Sequence, residues 1–541
     1  MSRSTYDYII VGAGSAGGVL ADRLSASGEH SVLVLEAGGK DRNVWIHVPL
    51  GYGRTFFNRD VNWMFETEPQ PGLNGRRIAQ PRGKVLGGSS SINGLLYVRG
   101  QREDYDGWRD LGNFGWGYDD VLPLFRRSED QMRGADQWHG AGGRLPVSDM
   151  LEKHPISEAF LKAGVNAGYA YNPDFNGAEQ EGVGRFQATA RNGLRYSTAK
   201  AFLRPALKRS NVHLEINAHV SRVLFDGLRA CGVAYVQNGR EVQVEARREV
   251  VLAAGAIQSP QILQLSGIGP KSLLDKFEIP VVKALPGVGE NLQDHLQARF
   301  IFETRDKITL NDDMASLFRQ LRMGLNFALA RKGPLGWWAG HAGAFLRTRA
   351  DLDRPDVQIH LYPFSTDRKD KPSLHSFSGF TLTVCQLRPY SRGHVRITTA
   401  DPLASPAISP NYLGDPRDAP VLAAGMSIIR QIAATEPLAS LIVAEREPGP
   451  EIQGDERLLE FLKAKAMSVY HPVGTCRMGS DDLAVVDDQL RVHGVVGLRV
   501  VDASIMPTLI SGNTNAPAIM IGEKGSDLIL DTAEMRNTKA A

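Results

Sequence analysis

Two regions of the chain carry residue types spaced for chemistry. Near the N-terminus, Gly12-Ala13-Gly14-Ser15-Ala16-Gly17 follows an apolar run, and Glu36 stands 19 residues beyond Gly17. The first glycine permits a tight turn, the second lets backbone approach a pyrophosphate at a helix N-terminus, and the third allows close helix–strand packing. An acid at that distance accepts hydrogen bonds from ribose hydroxyls, so the pattern predicts a dinucleotide site without separating a flavin from a nicotinamide. A second block, Pro81-Arg82-Gly83-Lys84-Val85-Leu86-Gly87-Gly88-Ser89-Ser90-Ser91-Ile92-Asn93-Gly94, concentrates small and hydrogen-bonding residues. Backbone without side chains can lie against a flat ring and a phosphate chain.

Near the C-terminus, His471 sits in Ser468-Val469-Tyr470-His471-Pro472-Val473-Gly474-Thr475. Pro472 disfavours helical backbone at His471 and Gly474 permits the following turn, so the segment can present an imidazole to a cleft as a general base. It is one of 13 histidines, and packing or surface roles are the ordinary reading of most. Asn513, in Ser511-Gly512-Asn513-Thr514-Asn515-Ala516-Pro517, is either a turn residue or an amide donor. Cys231, Cys385 and Cys476 share no metal-ligand spacing; they read as buried core residues, and no metal site is expected.

These residues need a scaffold, and 541 residues suffice for several domains. Hydrophobic residues at 42% and charged residues at 23% exclude a disordered or fibrous chain. With 62 basic against 60 acidic residues and no long single-sign block, no nucleic-acid footprint exists. The chain runs from Met1 directly into a strand-like segment and has no run long enough to span a bilayer, which predicts a cytoplasmic protein with peripheral contact at the inner membrane left open. Tyr6–Val11, a helix over Ala16–Ser27 and Ser31–Glu36 form a βαβ opening. Residues 212–255 read as a β-meander with turns at Asp226-Gly227 and Asn238-Gly239, its last strand returning to a buried parallel sheet, and Gly497–Ser504 supplies another strand. Residues 314–331 are helical, with Leu317, Leu321, Leu325 and Leu329 on one face. VQIHLYPF, GFTLTVCQL and GHVRITTA are expected to form an antiparallel sheet.

From GAGSAGG through PRGKVLGGSSSIN and GAIQSPQILQLSGIG to HPVGTCRMG and VDASIMPTLISGNTNAPAIMIGEK, the whole chain resembles the glucose-methanol-choline (GMC) flavoprotein oxidoreductases. The resemblance implies an α/β fold, α+β overall. A Rossmann-type FAD-binding domain is built from discontinuous segments (1–155, 196–297, 466–541), with a substrate domain of antiparallel sheet and helices (156–195, 298–465). It places Gly12, Gly14, Ser15, Ala16, Gly17, Glu36 and Ala37 around the ADP half of FAD. Arg82, Gly87, Gly88, Ser89 and Asn93 fall along the pyrophosphate and ring, Val220 at the adenine, Asp502 and Ala503 on the other side, and Asn515 at a turn or the flavin. It also makes His471 the base and Asn513 its catalytic partner, for oxidation of an alcohol by hydride transfer to flavin N5.

Departures from the family pattern sharpen the expectation. Ile92 occupies the place where some choline-oxidising members carry an FAD-tethering histidine, so the FAD is expected to be non-covalent. His341-Ala342-Gly343-Ala344-Phe345 lacks the acid that meets a quaternary ammonium in choline-specific members, which favours a neutral aliphatic or aromatic primary alcohol over choline. Trp337 and Trp338 form either an aromatic wall or lid, or domain packing; whether they and His341 line the site stays open. The electron acceptor is a quinone, a carrier protein or O2, the last making the protein an oxidase that releases H2O2. Family lyases and a decarboxylase supply a further alternative, for which Cys385 near Arg388 is the feature to inspect.

Overall fold

The computed structural model describes residues 4–150, 152–367 and 373–540, with side chains through 533. Two seven-stranded sheets organise them. In the first, Thr5–Val11 lies parallel to Val32–Glu36, and the helix Ser15–Leu24 crosses between them. Val32–Glu36 is buried throughout, the pattern of a strand covered on both faces. Arg240–Leu252 has two characters. Its first half starts exposed over 240–242 and becomes partly buried as it pairs antiparallel with Arg229–Gln237, whereas its end, Val-Val-Leu, is buried and runs parallel to Thr5–Val11 and to Leu498–Val500. Asn238 and Gly239 both have positive φ (52° and 73°), as a two-residue type I′ hairpin requires.

The run 212–225 is not one strand. Val212–Ile216 pairs with Val32–Glu36, while His219–Asp226 pairs with Arg229–Gln237. The break falls at Asn217, whose φ of 52° reverses the chain while its N–H and that of Ala218 bond to Gly38 and Glu36 carbonyls.

The second sheet is antiparallel, in the order Ile442–Glu447, Leu296–Thr304, Gly379–Gln386, Val357–Tyr362, Ala342–Leu346, Gly182–Gly184. Alternation along its strands sets two faces. Val357, Ile359, Leu361 and Phe300 join the helices Pro155–Asn166, Asp418–Ala433 and Asp455–Lys465 in a core, and His360, Tyr362 and Gln297 face a cavity. Met467–Ser468 pairs with Leu296–Gln297, tying the segment before His471 to this sheet.

Three expectations need correction. GHVRITTA contributes only His394–Arg396, which pairs with Ala407–Ser409 in a separate hairpin packed on the helix Gly255–Leu265. The 314–331 helix is two, Leu310–Met314 and Leu317–Ala330, and its four leucines point outward because Phe327 alone anchors the longer helix. Cys231 is half-buried, since its strand position faces the meander's outer side. Of the two readings left open for Trp337 and Trp338, the contacts favour packing: Trp337 donates to Glu152 at 3.0 Å, and Trp338 joins a core with Leu95, Leu96, Phe186 and Phe345.

Candidate functional site

A cavity of about 1930 Å³, solvent mouth included, runs between the two sheets. At its first end the strand Thr5–Val11 delivers the chain into Gly12, whose φ is 104° and whose added Cβ would lie 2.5 Å from the Ala253 carbonyl oxygen. The helix that follows has no side-chain cap at Gly14, so its first N–H groups face the cavity with their positive dipole end. Gly88, at φ 52°, faces Gly14 across the floor, and a Cβ there would stand 2.8 Å from the Gly14 Cα. Uncapped N–H groups, and a cradle that side chains would fill, fit a pyrophosphate. Ser15 donates to the Asn515 Oδ1 at 2.8 Å, which joins the starts of two helices at this wall.

Glu36 is buried and accepts from the N–H groups of Ala13 (3.0 Å) and Gly38 (2.8 Å). Burial lifts its carboxyl to about 7 against the pull of those two bonds. Asp502 caps the Gly255–Leu265 helix through Gly255 N–H (2.8 Å) and the Ser259 hydroxyl (2.6 Å). Asn93 is held by the buried Arg195, which donates to its Oδ1 at 2.6 Å. Of the sequence-derived cofactor set, Gly12, Gly14, Ser15, Ala16, Glu36, Ala37, Arg82, Gly88, Ser89, Asn93, Val220, Asp502, Ala503 and Asn515 line the cavity. Gly17 and Gly87 do not: Gly17 presses on the Gly12 carbonyl and Gly87 turns behind the wall against Ser91 and Ala199.

At the other end the chain presents His471 through strain and buried bonds. Tyr470 has φ 69°, a left-handed conformation that costs a non-glycine residue about 1–2 kcal/mol. Its N–H bonds to the Ser468 hydroxyl at 2.7 Å and its carbonyl accepts from Arg82 at 2.5 Å, which hold the turn. Buried Asp294 gathers the neighbourhood by accepting from the N–H of His471 (2.7 Å), the N–H of His295 (2.9 Å), the Ser468 hydroxyl (2.5 Å), the Gln80 amide (3.2 Å) and the Tyr412 hydroxyl.

The imidazole tautomer follows from the partners. His295 Nε2 lies 2.9 Å from the Leu387 carbonyl, which only accepts, so that nitrogen carries the proton. Burial holds His295 below its ordinary pKa and hence neutral, so its Nδ1 is an acceptor. His471 Nδ1, 2.9 Å away, must donate to it. The lone pair of His471 therefore sits on Nε2, 3.1 Å from Asn513 Nδ2. Gln358 fixes the Asn513 amide in turn, donating to its Oδ1 at 3.1 Å and so leaving Nδ2 toward the histidine. Burial first, then neighbouring His295, His360 and Arg82, hold His471 well below the usual histidine pKa. An unprotonated base beside an amide donor can take a hydroxyl proton and steady the oxygen that loses it.

Sequence reading missed His295, Asp294 and Gln358. The strand VQIHLY alternates Gln358, His360 and Tyr362 with Val357, Ile359 and Leu361, so its period of two marked a polar face within an apolar strand. Cys385 and Arg388 do not form a site: the thiol is buried off the cavity, its pKa pushed up to about 12 by burial, and Arg388 bonds Gln101, Pro355 and Ser511.

A phosphate cradle opening onto a base and an amide belongs to a dinucleotide-dependent oxidoreductase. Comparison with known proteins gives the family. The GMC oxidoreductase sequence model matches residues 6–297 and 389–522. The chain is 42% identical to an alcohol dehydrogenase [acceptor] of Pseudomonas putida (99% of this chain, 98% of the relative) and 44% identical to an oxygen-dependent choline dehydrogenase of Vibrio vulnificus (97% and 94%). Its fold matches pyridoxine 4-oxidase of Mesorbium loti with a TM-score of 0.88 at 31% identity, over 96% of this chain and 98% of that one. The chain belongs to the GMC oxidoreductases, FAD-dependent enzymes, and carries out alcohol-type oxidation.

Proposed function

We infer that the protein oxidises a neutral primary alcohol to the aldehyde and passes the electrons to a quinone-type acceptor. Bound FAD supplies a hydride acceptor. The observation that carries the reading is the Nε2 lone pair of His471 facing the Asn513 Nδ2 at 3.1 Å. An alcohol oxygen placed between them loses its proton to His471 and receives a hydrogen bond from Asn513, which concentrates charge on the oxygen and loosens the α-hydrogen. His295 and Gln358 act through these two, as positioning residues. The sequence-derived cofactor residues in the wall hold the FAD: Gly12, Gly14, Ser15 and Ala16 at the pyrophosphate, Glu36 and Ala37 toward the ribose, and Val220 beside the adenine.

The chemical end is walled by Tyr52, Phe56, Leu95, Leu96, Ala339, Tyr362 and Val469, and the acids among the cavity residues, Glu36 and Asp502, serve the first end. Among the described residues of this wall none is a carboxylate that would pair a quaternary ammonium, which supports a neutral substrate. With Cys385 outside the wall, nothing at this site favours a lyase or decarboxylase. The Pseudomonas putida relative is named an alcohol dehydrogenase [acceptor], which supports an alcohol as donor and leaves the acceptor's class to the comparison of peroxide release with dye reduction.

The test is anaerobic bleaching of the FAD-loaded protein by a panel of primary alcohols and choline. Neutral primary alcohols are expected to bleach it and choline to be slower; no bleaching by any neutral alcohol, or choline as the best substrate, overturns the reading. Peroxide release in air matching dye reduction would replace the quinone by O2.

A further inference from the structure

The helix Leu317–Ala330 wears its apolar stripe on the outside. At 3.6 residues per turn, Leu317, Phe318, Leu321, Leu325 and Leu329 fall within an arc of about 120°, and each is between 60% and 79% exposed. Phe327, on the opposite side, is the buried residue of the helix, and Arg331 places its guanidinium 5.3 Å from that ring. A helix packed on a core turns its stripe inward; this one reverses the arrangement. A contiguous exposed apolar patch marks an interaction surface.

Charge identifies what covers it. Residues 315–332 contain Arg319, Arg322, Arg331 and Lys332 and no acid. On the helical wheel Arg322 falls about 20° beyond one edge of the stripe, and Arg319 about 80° beyond it, toward the side of Asp313. Asp313, on the preceding helix, lies 3.8 Å from Arg319. Two copies meeting across the stripe would set arginine against arginine with no carboxylate on either helix to pair them. Leucines and phenylalanine flanked on their own helix by cations instead match the boundary of a bilayer with anionic headgroups. The helix is 14 residues, about 21 Å long, too short to cross, and among the described residues no helix is long and apolar enough to do so.

The helix also connects directly to the site. From Ala330 the chain passes through Pro334–Gly336 to Ala339 in the cavity wall, and Pro334–Gly336 packs against Pro49–Gly51, which runs straight into Tyr52 of the same wall.

We propose that Leu317–Ala330 docks the protein on an anionic bilayer, with the stripe at the acyl boundary and Arg322 and Lys332 at headgroup phosphates. The docking stands whatever the alcohol. Its consequence for the acceptor rests on the quinone reading, because docking brings this wall near the phase in which a quinone dissolves.

The test is flotation of the FAD-loaded, full-length protein with vesicles of phosphatidylcholine alone and of phosphatidylcholine with phosphatidylglycerol. Binding is expected to the anionic vesicles, falling about fivefold for each cation removed in Arg322→Gln and Lys332→Gln. The pair Leu321→Asn and Leu325→Asn should lower it at least about tenfold, with melting temperature and vesicle-free alcohol bleaching unchanged. No flotation with anionic vesicles, or a leucine variant that floats like wild type, overturns the proposal. So does a leucine variant that splits a dimer while vesicles bind neither form, an outcome that assigns the stripe to a second copy. Bleaching without vesicles reports the alcohol reading separately.

Discussion

His295→Phe tests the tautomer argument, because it removes the acceptor that holds the His471 Nδ1 proton while keeping a ring in the buried slot. The 2.9 Å bond from His471 and the 2.9 Å bond to the Leu387 carbonyl are both lost. A buried hydrogen bond between neutral groups contributes about 1–1.5 kcal/mol, and each 1.36 kcal/mol is about tenfold in rate. The limiting rate of flavin reduction by a primary alcohol that bleaches the wild type should therefore fall about tenfold. KM should move less than about threefold, since His295 sits behind the base rather than in the cavity wall.

A merely structural histidine could also slow the enzyme, so the pH profile is the decisive readout. Only neutral His471 can accept a proton, and its pKa lies well below the usual 6.5, chiefly through burial. The wild-type rate should therefore be flat at neutral pH and fall only in acid. Without His295 the neutral acceptor that steadies a protonated His471 through Nδ1–H is gone and an apolar ring replaces it, so the acid limb should move to lower pH. Stopped-flow reduction under anaerobic conditions across pH gives both numbers, with the flavin spectrum and a thermal melt confirming a loaded, folded variant. A reduction rate within about twofold of wild type and an unmoved acid limb would refute the relay from Leu387 through His295 to His471.

Three further outcomes follow from the same geometry. Asn513→Ala removes the donor 3.1 Å from the base, and flavin reduction should slow about a hundredfold with the flavin-to-protein ratio unchanged; loss of FAD instead would make Asn513 a cofactor residue. Gly88→Ala puts a Cβ 2.8 Å from the Gly14 Cα at φ 52°, and FAD affinity measured by titration of the apoprotein should weaken at least about tenfold. Acid precipitation should leave the yellow colour in the supernatant, because Ile92 offers no nucleophilic nitrogen; colour in the pellet would show a covalent link at another residue.

What was legible in the sequence is what steric necessity writes into residue type. Gly12 and Gly88 are glycines because a Cβ would strike backbone at 2.5 and 2.8 Å, so their spacing announces the cradle before any fold is known. The βαβ opening and the Asn238-Gly239 hairpin are local in the same sense. Local sequence allowed His471 as a base and Asn513 as an amide donor, the resemblance chose them, and their supports were not legible at all: His295 bonds His471 across 176 residues and Gln358 bonds Asn513 across 155. Nothing local distinguishes those two from packing residues until the sheets meet. The leucine stripe shows the converse limit. A repeat at i, i+4, i+8 and i+12 defines a face without saying whether core or another medium covers it. That answer came from the inner side, where Phe327 is the helix's one buried residue. The stripe leucines face away from both spans that join the helix to the cavity wall, Pro334–Gly336 and Leu310–Met314, whose Leu310 N–H bonds the Pro363 carbonyl beside Tyr362. The vesicle and bleaching measurements should therefore separate cleanly in the leucine variants.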